Sequence, residues 1–209
     1  LETYILSTAI STLSAIKFPS ENDLLVLNTS LERLRNSQWI GKNKNVATMK
    51  VSRDSQKNNT SNQVNNNYIS NNENLWIGGF GYGSRKRPDL SNTQMALQAF
   101  HDAKMSSDDP VFQRAINFLT KTQNLKYKNS LSWASDDGGF IYTPANGGES
   151  LSSEFIGEGR HGEKIQKKEN RTLKSYGSMT YAGYKSLLYA GLSKEDMRVK
   201  AALKWISNH

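Results

Sequence analysis

Apolar side chains return at helical spacing in three widely separated parts of the chain. Phe112, Ala115, Ile116 and Leu119 occupy i, i+3, i+4 and i+7, one face of an amphipathic helix. Val199, Ala202, Leu203 and Ile206 repeat the pattern near the C-terminus, and Leu27, Ser30, Leu31 and Leu34 repeat it near the start. A capping signal precedes each. Asp109-Pro110 offers an N-cap followed by proline at the first helical position, while Ser20/Asp23 and Ser193/Asp196 have capping-box spacing.

A second kind of helix, richer in small and hydroxyl residues, precedes each of these: TAISTLSAI, TQMALQAFH and TYAGYKSLL. Superposing the apolar faces sets Thr8, Thr93 and Thr180 in register, so a helical hairpin recurs at roughly 85–87 residues. The expected organisation is one all-α domain over 1–209, with hairpins at about 1–40, 89–124 and 175–209. Two long polar loops, about 41–75 and 145–174, carry the extra length. The Asn-rich run from Asn43 to Asn74 has the composition of a disordered segment. WIGGFGYG (Trp76–Gly83) and DDGGFIYT (Asp136–Thr143) precede the second and third hairpins. Paired glycines there predict a tight turn, after which an aromatic plugs between helices. No predicted strand leads into GGFGYG, and it lacks the GxGxxG spacing of a phosphate cradle.

Composition narrows the chemistry. The chain has no cysteine, which removes disulfides, thiolate nucleophiles and Cys-based zinc sites together. No run reaches the ~18 apolar residues of a membrane-spanning helix. The formal charge of +8 favours anionic partners in general. Its basic residues, however, lie in loop-like stretches such as SRKR and GRHGEKIQKKENRTLK, without the interleaved aromatics of a nucleic-acid surface. Contact with an anionic lipid or polymer would rest on charge alone.

Helices ending in glutamine (LERLRNSQ, INFLTKTQ), followed by GGFGY or DGGF and then a small-residue helix, resemble the terpenoid cyclase and protein prenyltransferase superfamily. The stretches GGFGYGSRKRPDLSNTQMALQAF and LKSYGSMTYAGYKSLLYAGLSKEDMRVKAALKWI are especially similar to bacterial squalene-cyclase-like, prenyltransferase-like proteins. The resemblance covers most of the chain outside the two polar loops. It implies an α/α toroid, in which inner helices line a cavity and outer helices wrap them. This chain supplies about half of a six-hairpin ring, so a second chain, a homo-oligomer or a further part of the protein is expected to complete it. Export to an outer compartment fits such a bacterial protein, although the chain carries no signal segment.

The same resemblance directs attention to DLSNT at the start of the middle inner helix. Squalene–hopene cyclases place DxDDT there, and the middle aspartate protonates an alkene. Asp89 and Thr93 match the ends of that motif, but Ser91 stands at the proton donor and Asn92 at the last aspartate. A serine hydroxyl is too weak an acid for the step. Prenyltransferase β subunits place DxxHT there, with the histidine on zinc; Asn92 replaces it, and His101, His161 and His209 have no ligand spacing. No metal and no cofactor are expected.

The remaining acid candidates are Asp89 and the pair Asp136–Asp137, which can equally cap backbone amides. Glu149 and Glu154, in the second polar loop, have a lesser claim, and Ser91, Ser175 and Ser178 lack a His/Asp partner. Trp76, Phe80, Phe140, Tyr142, Tyr181 and Tyr184 are candidates to line a site for a hydrophobic, isoprenoid-type ligand, or simply to fill gaps between helices. The expected function is a binding or scaffold module without cyclase or zinc-transferase chemistry. The alternative is an enzyme on isoprenoid or lipid substrates, with its acid drawn from Asp89, Asp136 or Asp137 or from a further part of the protein.

Overall fold

The computed structural model describes residues 2–41, 75–83, 86–152 and 172–209. The Asn-rich run, Glu154 and His161 lie outside these residues. Among the described residues the protein is mainly helical. Six α-helices follow one another: α1 (Glu2–Ser14), α2 (Glu21–Asn36), α3 (Leu90–Asp102), α4 (Pro110–Thr122), α5 (Gly177–Tyr189) and α6 (Met197–Asn208). One two-stranded antiparallel ribbon, β1 (Phe80–Gly81) with β2 (Pro88–Asp89), lies where the sequence predicts no strand. None of the described helices is long and apolar enough to cross a membrane.

Helix α3 packs between α1 and α5, and α2, α4 and α6 stand behind this row. The hydrophobic periodicity explains the layering. Phe112, Ala115 and Leu119 of α4 are fully buried, as are Ala96, Leu97 and Phe100 of α3. In α6 the buried stripe is Val199, Ala202 and Trp205; Leu203 turns to solvent, so the expected face is rotated by part of a turn. The register of the first pair also differs from expectation. Thr8 is exposed, whereas Thr3 is buried and its hydroxyl donates to the Gly81 carbonyl. Thr8 therefore has no equivalence with the fully buried Thr93 and Thr180.

Caps set the helix starts. Ser20 and Asp23 form a complete capping box on α2. Asp109 caps α4 through the Val111 amide at 2.9 Å. Ser193 takes no part in capping α6. Asp196 is itself the cap, accepting from the Arg198 amide at 2.8 Å.

The helix pairs are joined by one repeated device. Gln38, just past α2, donates its side-chain amide to the carbonyls of Gly78 (3.0 Å) and Val111 (2.9 Å). Gln123, just past α4, does the same to Gly138 (2.9 Å) and Arg198 (2.8 Å). Each glutamine thus ties a glycine turn to the first turn of the next outer helix. The turns need glycine for two reasons. Gly78 and Gly138 have φ of +91° and +86°, and a Cβ would lie 1.8 Å from the Arg114 carbonyl oxygen and 2.7 Å from that of Ala201. The next residues complete the unit: the Phe80 and Phe140 amides donate to the hydroxyls of Thr93 (3.0 Å) and Thr180 (3.1 Å).

The two junctions differ at one atom. The carbonyl oxygen of Gln38 accepts from Arg114 Nε at 2.8 Å. Ala201 occupies the equivalent place in α6, and Gln123 Oε1 is buried without a partner among the described residues. Replacing Gln38 by alanine removes three hydrogen bonds and should lower stability by about 2–4 kcal/mol, at about 0.5–1.5 kcal/mol each. Ala201→Arg, which offers Gln123 the missing donor, should raise stability by about 1 kcal/mol. Urea unfolding of both variants checks the pair.

Candidate functional site

Among the described residues, the start of α3 gathers the most unusual polar chemistry. Asp89 ends β2 and caps α3, where ribbon pairing to Phe80 and helix packing together bury it. Its Oδ1 accepts from the Asn92 amide at 2.8 Å, and its Oδ2 accepts from Asn92 Nδ2 at 2.8 Å. Asn92 spends its NH2 group on this bond, and its own Oδ1 is buried without a partner among the described residues. Such a group costs about 1–3 kcal/mol.

Hydroxyls surround the carboxylate. The Tyr142 phenol stands beside it, and Tyr82 Oη lies 3.5 Å from Tyr142 Oη. Tyr4, from α1, shares a hydrogen bond of 2.6 Å with Ser91 Oγ, and its ring lies 6.0 Å from that of Tyr82. Tyr82 is exposed, so it stands between the buried carboxyl and solvent. Arg87, the nearest cation, is engaged elsewhere, with Glu149 at 2.6 Å. Glu149 is buried and pairs by backbone with Thr143, which places it in packed structure rather than in the polar loop expected from sequence.

Burial dominates the electrostatics. Desolvation pushes the Asp89 carboxyl above its ordinary 3.8, more than the Asn92 bonds, Tyr142 and Arg87 pull it down. Desolvation likewise raises the phenols of Tyr142 and Tyr4, and the nearby Asp89 charge adds to both. The cluster therefore favours the protonated carboxyl more than an exposed aspartate would. It cannot readily supply a phenolate.

The other acid candidates are engaged with backbone. Asp137 Oδ1 accepts from the Gly139 amide (2.9 Å) and from Ser175 Oγ (2.6 Å). Asp136 Oδ1 accepts from the Lys126 amide at 2.9 Å. The aromatic candidates divide. Phe80, Phe140 and Tyr142 belong to one packed core, with Tyr184 against it. Trp76 packs edge-on to Trp39, 4.6 Å between centroids, and Tyr181 is 56% exposed. His101 lies on the Tyr189 ring and His209 on Trp205. Among the described residues, no three His, Cys, Asp or Glu side chains are grouped as metal ligands would be.

Tyr4, Tyr82 and Arg87 are members of the cluster that sequence reasoning misses, while Glu149 is named there only as a lesser acid candidate. Only Tyr82 and Arg87 carry a local signal, being in the segment between the Gly-Gly turn and Asp89. No family profile, no curated protein and no solved structure matches this chain.

The raised Asp89 carboxyl fixes a pH dependence. Between the unfolded value near 3.8 and the higher folded value, the folded state binds more protons, so this group's stabilising contribution fades as pH rises. Asp196 works in the opposite sense: its bond from Arg198 lowers it, and its contribution is lost as pH falls below the ordinary carboxylate range. Asp89→Asn keeps a good cap and removes one titration. Its new NH2 can also serve Asn92 Oδ1 once that amide turns over. The melting temperature of the variant, minus that of the unaltered chain, should increase between about pH 4 and pH 7. A difference independent of pH would contradict this.

Proposed function

We propose that this chain is a helical-repeat module of the α/α-toroid type that binds or scaffolds, without alkene protonation or zinc-assisted prenyl transfer. The observation that carries this reading is the occupancy of the α3 start. Ser91 is spent on Tyr4, and Asn92 is spent on Asp89. Neither is an acid, and Asn92 is a poor zinc ligand. The side-by-side row α1, α3, α5, backed by α2, α4, α6, and the recurring glutamine–glycine junction support the toroid-type reading. A six-hairpin ring would need further hairpins from elsewhere.

One observation favours a second reading, an enzyme on isoprenoid or lipid substrates. Asp89 is a carboxyl raised by burial, with Tyr142 and Tyr82 leading from it towards solvent. A hydrophobic, isoprenoid-type ligand at that rim would meet a proton donor. Still, both carboxylate oxygens are held by Asn92, which suits a cap better than an acid that must face an alkene.

The chain should form no cyclised product from squalene, and transfer no prenyl group from farnesyl diphosphate to a thiol peptide, when products are followed by mass spectrometry. Product that Asp89→Asn abolishes would overturn the binding-module reading in favour of the enzyme.

A further inference from the structure

The two junctions define which surface of an outer helix receives a glutamine–glycine turn. On α4 the receiving stripe is Val111, Arg114 and Phe118. Gln38 takes the Val111 carbonyl, Gly78 lies on the Arg114 carbonyl, and Phe118 covers Gly79. On α6 the same positions are Arg198, Ala201 and Trp205, receiving Gln123 and Gly138. Counting back from Gln123 to Gln38, the positions on α2 are Val26, Thr29 and Arg33.

Among the described residues, no turn covers that third stripe. Val111 is 0% and Trp205 8% exposed, whereas Val26 is 44% exposed and the Arg33 side chain 67%. Leu24, Leu25 and, on α1, Ile5 add exposed apolar surface on the first helix pair. Arg33 reaches Glu2, and among the described residues the Thr29 hydroxyl bonds only its own helix, at the Leu25 carbonyl. By this count the backbone carbonyls of Val26 and Thr29 are the equivalents of those of Val111 and Arg114, which receive a turn. The two glutamine–glycine turns among the described residues are both engaged, on α4 and α6, so a second copy could offer one of these only by opening its fold.

We propose that the Val26–Thr29–Arg33 stripe is a docking surface for a partner subunit that presents a turn of the same chemistry. That turn has a helix-terminal glutamine aimed at the Val26 carbonyl and a Gly-Gly step seated on Thr29, followed by an aromatic. The proposal rests on the binding-module reading and names the partner's recognition element. Specificity follows from shape as well as hydrogen bonding, because only glycine lets the turn approach an outer-helix carbonyl this closely.

The probe is a head-to-tail cyclic peptide of residues 121–142. Its ends are already neighbours in the fold, where the Ile141 amide donates to the Thr122 carbonyl at 3.0 Å and Gln123 pairs with Phe140. Titrated into the isotope-labelled chain, the peptide should shift the amide resonances of Val26, Thr29 and Arg33 saturably. A peptide with Gln123→Leu should bind about tenfold more weakly, the equivalent of two neutral hydrogen bonds. Val26→Asp in the chain should abolish the shifts while leaving the circular dichroism unchanged. No saturable shift, or equal binding by the leucine peptide, would overturn the proposal. So would self-association of the chain that Val26→Asp dissolves, because a second copy would then occupy the stripe. The squalene and farnesyl diphosphate assays bear on the binding-module reading alone, so the two can fail separately.

Discussion

A buried primary amide holds this structure together. Gln38 and Gln123 each use both hydrogens of one NH2 group to join two carbonyls from different segments, a glycine turn and the next outer helix. No hydroxyl could do this, since it has one proton, and a lysine would bring a charge that burial penalises. The glutamine fixes the turn, and the turn then fixes the phenylalanine that follows. Phe80 and Phe140 enter the core at 0% exposure, while their amides donate to the threonines that open α3 and α5. Helix placement thus propagates from amide to turn to aromatic to threonine. Backbone approach as close as that of Gly78 to Arg114 leaves no latitude for error along the way.

Much of this device could be read from the sequence as spacing, though not as mechanism. Glutamine at the end of an amphipathic helix, paired glycines, an aromatic and a threonine recur together, and the apolar stripes of α2 and α4 emerge from periodicity alone. Where the stripe is short or mixed, periodicity misleads. In α6, Trp205 outcompetes Leu203 for the interior because a large ring fills more of the space between helices. In α1 large apolar residues (Ile5, Leu6, Ile10 and Leu13) are scattered among small and hydroxyl ones, so no face dominates, and the threonine chosen by superposition is not the buried one. The ribbon β1–β2 was illegible for another reason: strands of two residues have no period, and their pairing is forced by the burial of Asp89 and Phe80.

The cluster at the start of α3 shows the same division. Asp89 as a helix cap follows from DLSNT, since an aspartate before a helical run commonly meets the amide three residues on. Its surroundings come from elsewhere: Tyr4 from α1, Tyr82 from the segment after the first glycine turn, and Tyr142 from the segment after the second. No local pattern links residues so distant. A raised carboxyl is a property of that convergence and not of the aspartate.

The arginines at the two boundaries are placed differently, and that difference reaches beyond local bonding. Arg35 crosses from α2 to grip the Asp109 carboxylate with two bonds, of 2.8 and 2.9 Å. At the next boundary, Arg198 grips Asp196 within its own segment, and its guanidinium reaches across to an uncharged acceptor, the Thr120 hydroxyl, at 3.1 Å. Among the described residues, an ionic latch therefore spans the first boundary but not the second. With Gln123 also short of a donor, the third helix pair is the portion that should come away first when the native state opens in part. The protein is then built as a firm two-pair block carrying a looser third pair. Amide exchange in α5 and α6 would report that local opening before the remainder of the fold yields.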